Sequence, residues 1–179
     1  MNEKEEYAIV LDFLPYGYPL EKNMQPVVQA VGKNSLILLH LVPRKGVSFE
    51  AKEEVYIGEG KRDKILFIKG RLHREKLSEN AKEVLKEVIE KYVKENEKKI
   101  IEFINKAEAI NKRLHQLELL PGLGNKHCQT ILEEREKKPF ESFEEIKKRL
   151  PGIPDIEKCV EKRIFEELTE MQRYNIFVK

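Results

Sequence analysis

One short segment in the C-terminal third of the chain places the strongest constraint on its fold. It spans residues 119–135 and reads LLPGLGNKHCQTILEER. Proline and glycine are poor residues for the interior of a helix, so the Pro-Gly-Leu-Gly run at 121–124 predicts a tight turn. Small and apolar residues then follow at helical spacing, at Cys128 and Ile131. The segment therefore predicts a helix, a turn and a second helix.

This segment resembles the helix-hairpin-helix motif of DNA- and RNA-binding proteins. In that motif, glycines let a phosphate approach the backbone, and amides at the start of the second helix point at the phosphate. Asn125 is a candidate helix cap, and Lys126 can reach a phosphate as a mobile charge. The predicted contacts are Gly122, Leu123, Gly124, Asn125 and Lys126. The resemblance also implies a monovalent-ion site at the backbone carbonyls from Leu120 to Gly124. The alternative is a hairpin that serves only in packing.

The same pattern recurs about thirty residues later. Residues 150–155 read LPGIPD, and Cys159 takes the place that Cys128 has in the first copy. Pro154 replaces the second glycine and has no N–H, so this copy offers one fewer phosphate donor. Gly152 is its candidate contact. Two such copies predict a tandem helix-hairpin-helix domain over residues 111–179.

Composition limits what any binding surface can look like. Lys and Arg number 34 and Asp and Glu 32, which leaves a net charge of only +2, so a nucleic-acid surface must be local. The high charged fraction, 37%, dominated by Lys and Glu, is typical of thermophile proteins. The two cysteines and four histidines show no zinc-binding spacing, and no metal or other cofactor is expected. No apolar run is long enough to span a membrane, so we expect a cytoplasmic protein.

The first 75 residues read as short strands, which predicts a small OB-like β-barrel. Residues 27–42 contain two of these strands, separated by a Gly-Lys-Asn turn. Helical periodicity begins after Ser78, a candidate cap, and predicts a helical connector over 76–110 that breaks near residues 95–99. The fold class is therefore α+β. The strand-like tail at 174–178 is predicted to pair with the barrel edge. The strand segments are 7–14, 27–42, 54–58 and 64–72.

Basic residues concentrate between positions 61 and 74, where six Lys or Arg accompany one acid, Asp63. Together with Gly58 and Gly60, they predict a loop that clamps a nucleic-acid backbone while Tyr56 or Phe67 stacks on a base. The equally weighted alternative is a solvated turn with its aromatic residues in the core. Better stacking candidates are Tyr16 and Tyr18, which lie in a loop. The candidate phosphate contacts here are Lys61, Arg62, Lys64 and Arg71.

Four segments are characteristic in their sequence and order: residues 7–13, 55–65, 113–122 and 139–143. Through them the chain resembles an archaeal family considered to bind nucleic acid, domain-of-unknown-function family 655. The resemblance implies a barrel, a tandem helix-hairpin-helix region and an RNA or DNA partner, and it implies no reaction.

Three functions compete at this stage. Nucleic-acid binding, with RNA slightly favoured over DNA, combines the barrel, the basic loop and the hairpins. A non-catalytic scaffold within a protein complex would use the same fold, and the small net charge favours it. An enzyme would need a carboxylate cluster or a positioned base, and the sequence nominates neither. No small-molecule substrate is predicted.

Overall fold

A computed structural model describes residues 4–179 as an α+β protein. Its five strands form one antiparallel sheet in the order β4-β1-β2-β3-β5. Each strand segment predicted in the first 75 residues is confirmed, including the pair on either side of the Gly-Lys-Asn turn. The strands are β1 (Tyr7–Leu14), β2 (Val27–Gly32), β3 (Leu38–Pro43), β4 (Glu54–Tyr56) and β5 (Ile65–Arg71).

The sheet curls into a half-barrel around an apolar core. β2 lies in the middle of the sheet and is buried along its whole length. Its one polar side chain, Gln29, donates to Lys76 O at 2.7 Å. An irregularity in the register of β1, between Val10 and Asp12, adds to the bend. The core residues of the sheet are Ala8, Val10, Val28, Ala30, Leu41, Val55, Ile57 and Ile65.

Closure of the barrel is not confirmed, because within residues 4–179 no strand ladder joins β4 to β5. β4 has only three residues, too few to run along the seven of β5. A side-chain contact joins the segments just before these two strands, since Lys64 Nζ lies 2.9 Å from a carboxylate oxygen of Glu53.

Five α-helices follow the sheet. Ser78 Oγ accepts the Ala81 N–H at 3.0 Å, so the predicted cap of the first helix is confirmed. The predicted break occurs at Asn96, whose side-chain amide donates to Tyr92 O. The helices are α1 (Glu79–Glu95), α2 (Glu97–Lys106), α3 (Asn125–Lys137), α4 (Phe143–Arg149) and α5 (Ile156–Thr169), with 3₁₀ turns at Arg74–Lys76 and Gln116–Leu119.

The chain divides into two compact units. One comprises Met1–Val88 and Glu167–Lys179, and the other comprises Ile89–Glu166. These limits differ from the predicted divisions at residues 75 and 110, because periodicity marks where a helix starts and not which core it packs against.

The predicted strand at the C-terminal tail is wrong. Residues 174–178 have no strand structure. Glu167 Oε1 instead accepts the backbone amides of Ile176, Phe177 and Val178 at 2.9, 3.0 and 3.1 Å. Glu167 is only 4% exposed, and its carboxylate occupies the donors that strand pairing would need.

Candidate nucleic-acid interface

The element before the first turn is a single 3₁₀ turn, Gln116–Leu119, where the sequence predicted a helix. His115 and Glu118 hold it together reciprocally: His115 Nδ1 accepts the Leu117 N–H at 3.1 Å, and the Glu118 carboxylate accepts the His115 N–H at 2.6 Å. Burial lowers the pKa of His115, which keeps the imidazole neutral and able to accept. His115 therefore has a structural role.

The two glycines of the first turn have different backbone conformations and different roles. Gly122 has φ +94°, a conformation that residues with a side chain rarely adopt. Gly124 has φ −90°, which any residue can adopt, and a Cβ built on it would meet no atom within 4 Å. Gly122 is thus needed to make the turn, whereas Gly124 leaves open space in front of α3.

The N-terminus of α3 is open. Gly124 is its N-cap and offers no side chain, and the first turn carries no acidic residue. The Gly124 N–H donates to His127 Nδ1 at 3.2 Å, and Lys126 is exposed beside it. Because the first amides of a helix have no partner within the helix, those of residues 125–127 remain the donors at this end.

Two interpretations of this hairpin need correction, the exposure of Leu123 and the cap role of Asn125. Leu123 is 6% exposed, and its N–H donates to Leu120 O at 3.1 Å, so neither its side chain nor its amide faces a ligand. Asn125 is the first residue of α3 and does not cap it, because Gly124 occupies the cap position. An apolar residue between two glycines packs into the core here.

The second hairpin carries a negative charge at the start of its second helix, whereas the first hairpin has a glycine there. α4 leads into a Pro151–Gly152 turn, and Asp155 precedes α5. Asp155 Oδ1 accepts the Lys158 N–H at 3.4 Å, and Oδ2 lies 3.1 Å from Lys147 Nζ. Gly152 is exposed, without positive φ. A carboxylate at this helix start disfavours an approaching phosphate.

The basic loop between β4 and β5 holds two of its three cations in place. Arg62 Nε donates to Gly58 O at 2.8 Å, and Lys64 is ion-paired with Glu53. Lys61 is exposed and takes part in none of the ion pairs found in the described part of the chain. Lys61 is therefore the most available charge of this loop.

The glycines of this loop make room for an aromatic ring. Tyr56 OH accepts the Gly60 N–H at 3.0 Å, and a Cβ on Gly58 would stand 2.5 Å from the same hydroxyl. The Tyr56 ring also packs edge-on against Tyr7. Tyr56 therefore belongs to the loop's own packing, whereas Phe67 on β5 is 41% exposed.

The two predicted stacking residues of the β1–β2 loop differ in exposure. Tyr16 is 74% exposed. Tyr18 is half-buried, since its hydroxyl lies 3.3 Å from Gln29 Nε2 and Lys76 Nζ stands 4.7 Å from its ring centroid. Tyr16 is thus the free aromatic face, and Lys76 is a nearby cation that sequence spacing alone did not connect with Tyr18.

Arg71 lies at the opposite end of β5 from Lys64. Together with His73 and Arg74, it lines a cavity in the unit that contains the sheet. The structure therefore does not gather all the predicted basic residues on one loop.

Across residues 4–179, no group of three or more His, Cys, Asp or Glu side chains is arranged to hold a metal ion. Over the same span, no helix is long and apolar enough to cross a membrane. The monovalent-ion site at residues 120–124 stays a prediction.

These features define the class: an α+β protein with a curled antiparallel half-barrel and, in the helical unit, two turns that each lead into a helix. The chain belongs to the family described as protein of unknown function (DUF655), whose model matches residues 4–179. It is 42% identical over 177 residues to an uncharacterized protein of Methanocaldococcus jannaschii, covering 98% of this chain and 80% of that protein. A crystal structure from Archaeoglobus fulgidus, described as DUF655, is similar with a TM-score of 0.84 and 44% identity, covering 98% of this chain and all of that one.

Proposed function

We propose that this protein binds nucleic acid, RNA slightly in preference to DNA, through backbone phosphates. In this proposal the two hairpins are tandem helix-hairpin-helix motifs, and the curled sheet is an OB-like barrel. The strand order supports the second assignment, because β4 and β5 are the two edges that a closing curl would bring together. The Lys64–Glu53 ion pair next to both edges agrees with it.

The observation that carries the proposal is the open N-terminus of α3. A phosphate there would meet unpaired helix amides, the positive end of the helix dipole and the exposed Lys126. Neither an acidic side chain in the first turn nor a Cβ on the cap residue stands in its way. Each of these electrostatic contributions amounts to roughly 0.3–1 kcal/mol at an exposed site.

The half-barrel offers a second set of contacts. Lys61 is the free cation of the β4–β5 loop, and Tyr16 presents an exposed ring on the β1–β2 loop. Stacking of an unpaired base on an aromatic ring contributes roughly 1–3 kcal/mol. Since unpaired bases are characteristic of folded RNA, the exposed Tyr16 favours RNA.

A non-catalytic interaction scaffold is the second candidate. The β1–β2 loop that carries Tyr16 also exposes Leu20 completely and Met24 to 67%. Grouped apolar side chains on a surface often mark a protein partner.

Titration of a structured RNA and of a duplex DNA at two salt concentrations tests the proposal. We expect binding to weaken as salt rises, with a log–log slope of about −0.7 per contacted phosphate for single strands. Gly124→Val should fold, because its backbone is unstrained, and should bind more weakly than the wild type. Gly152→Val is the matched control, since its site is equally open and lies in the second hairpin.

Thermal melts of both variants accompany the titrations. If wild-type binding is absent at low salt, or if folded Gly124→Val binds as the wild type does, the hairpin is a packing element and the scaffold function takes precedence.

A further inference from the structure

A cavity of about 310 Å³ lies in the unit that contains the sheet. Its walls come from the segment leading into β3, the end of β5, the 3₁₀ turn that follows, the end of α5 and the C-terminal tail. This volume is at the lower end of the range for small-molecule sites, about 300–1,000 Å³.

One wall is rich in donors for an anion. Arg71, His73 and Arg74 all line the cavity and lie within four residues of one another. Arg74 donates a hydrogen bond to Glu170 O, which fixes its guanidinium against the chain. A guanidinium presents a planar fork of N–H donors that matches the geometry of a phosphate.

The acids in the cavity wall are Glu75 and Glu167. Glu75 is exposed to solvent, which screens its charge. Glu167 Oε1 accepts the amides of residues 176–178, and these three donors stabilise its negative charge. The same three bonds hold the tail in place as a wall of the cavity.

Most of the remaining lining is apolar, and Asn175 and Lys179 are its polar members. Leu72, Leu168 and Val178 line the cavity and are each no more than 9% exposed. An apolar floor beside a cationic wall suits a ligand with an anionic group at one end and a flat, weakly polar body at the other.

We propose that this cavity binds the phosphomonoester of a nucleotide, either as a free mononucleotide or as the terminal nucleotide of a strand. The guanidinium groups of Arg71 and Arg74 hold the phosphate, and the base lies on the apolar floor. The site goes beyond the proposed function, whose phosphate contacts are at α3 and at Lys61.

Calorimetric titration with AMP, adenosine and inorganic phosphate tests the site. AMP should bind one to one, and adenosine at least tenfold more weakly, because it lacks the phosphate. Arg71→Ala should weaken AMP binding tenfold or more, since Arg71 is exposed and its loss should leave the fold intact. Arg74→Lys keeps the charge but loses the fork and should also weaken binding. Arg173→Ala is the control, an exposed arginine of the tail outside the cavity lining.

Two RNA decamers, with and without a 5′-phosphate, separate the two sources. Tighter binding of the phosphorylated decamer that disappears in Arg71→Ala assigns the site to a strand end. Binding of AMP alone assigns it to a free nucleotide. Gly124→Val should leave AMP affinity unchanged, so failure of the nucleic-acid proposal is distinguishable from failure of this one. The inference is overturned if AMP fails to bind at millimolar concentration, or if Arg71→Ala and Arg74→Lys both bind AMP as the wild type does.

Discussion

The two hairpins share a turn and differ in charge. Each has a Leu-Pro-Gly turn followed by a helix with a buried cysteine. Burial raises the pKa of Cys128 to about 11 and also raises that of Cys159, so both thiols are neutral packing groups. At the helix starts the likeness ends, because α3 begins after a bare glycine and α5 begins after the carboxylate of Asp155.

The different residues before α3 and α5 indicate different roles for two hairpins with a similar backbone. In the second hairpin, the Asp155 carboxylate accepts one of the helix amides and disfavours an anion. A hairpin that starts on glycine leaves its amides to a ligand. The identity of one cap residue is therefore enough to distinguish a packing hairpin from a candidate phosphate site.

The largest effect is expected at the turn glycine. Gly122→Val should destabilise the protein by about 1–3 kcal/mol, because φ of +94° is strained for a branched residue. Gly152→Val should cost less than about 0.5 kcal/mol, since its φ is not positive and its surroundings are open. Urea unfolding of both variants measures the difference, and equal losses would remove the conformational distinction between the turns.

The next effect concerns the charge at α3. Gly124→Asp copies the cap of the second hairpin and should weaken RNA binding about tenfold, roughly 1.4 kcal/mol, while stability is kept or slightly raised. Gly124→Asn supplies a neutral cap of the same size and should bind more tightly than the Asp variant. Equal affinities for the two variants would show that charge at this helix start is unimportant.

The reciprocal change is made at α5. Asp155→Ala removes a helix cap and the ion pair with Lys147, and should destabilise the protein by about 1 kcal/mol. RNA affinity should stay within the error of the titration, because Pro154 still supplies no N–H at this hairpin. A clear gain of RNA affinity in a folded Asp155→Ala protein would place the second hairpin in the interface, because the carboxylate that disfavours a phosphate is then gone.

The smallest effect is expected at Lys126. Lys126→Ala should weaken RNA binding about threefold regardless of sequence, and should reduce the salt slope by about 0.7 for a single strand. Lys158→Ala is the control on α5, where the lysine lies 3.5 Å from Glu161. Equal effects of the two changes would show that any exposed lysine contributes as much.

Local sequence patterns were sufficient to predict the elements whose conformation depends on neighbouring residues. Alternating and continuous apolar runs identified all five strands, and Ser78 identified the start of α1. The Leu-Pro-Gly segments located both turns. Two predictions failed. The tail at 174–178 lost its predicted strand because Glu167 holds its amides. The helix predicted before the first turn is a 3₁₀ turn held by His115 and Glu118.

For the candidate site, too, the sequence indicated which residues are exposed better than which residues are paired or buried. Exposed Tyr16 and Lys126 agree with their sequence interpretation, because loops and helix starts lie at the surface. Leu123 and Lys64 were nominated by residue type and position, yet the first is buried and the second is ion-paired with Glu53. Composition cannot reveal such pairing.

By itself, then, the sequence determined the α+β class, the segments of the five strands and five α-helices, and the two glycine turns, because periodicity and backbone preference act over a few residues. Tertiary structure alone decided that the sheet is a half-barrel, which cations remain free and that Arg71 and Arg74 share a cavity with the tail. These properties depend on contacts between residues far apart in the chain, such as those of Glu53 with Lys64 and of Arg74 with Glu170. Burial and charge pairing are set by such contacts, and no local pattern contains them.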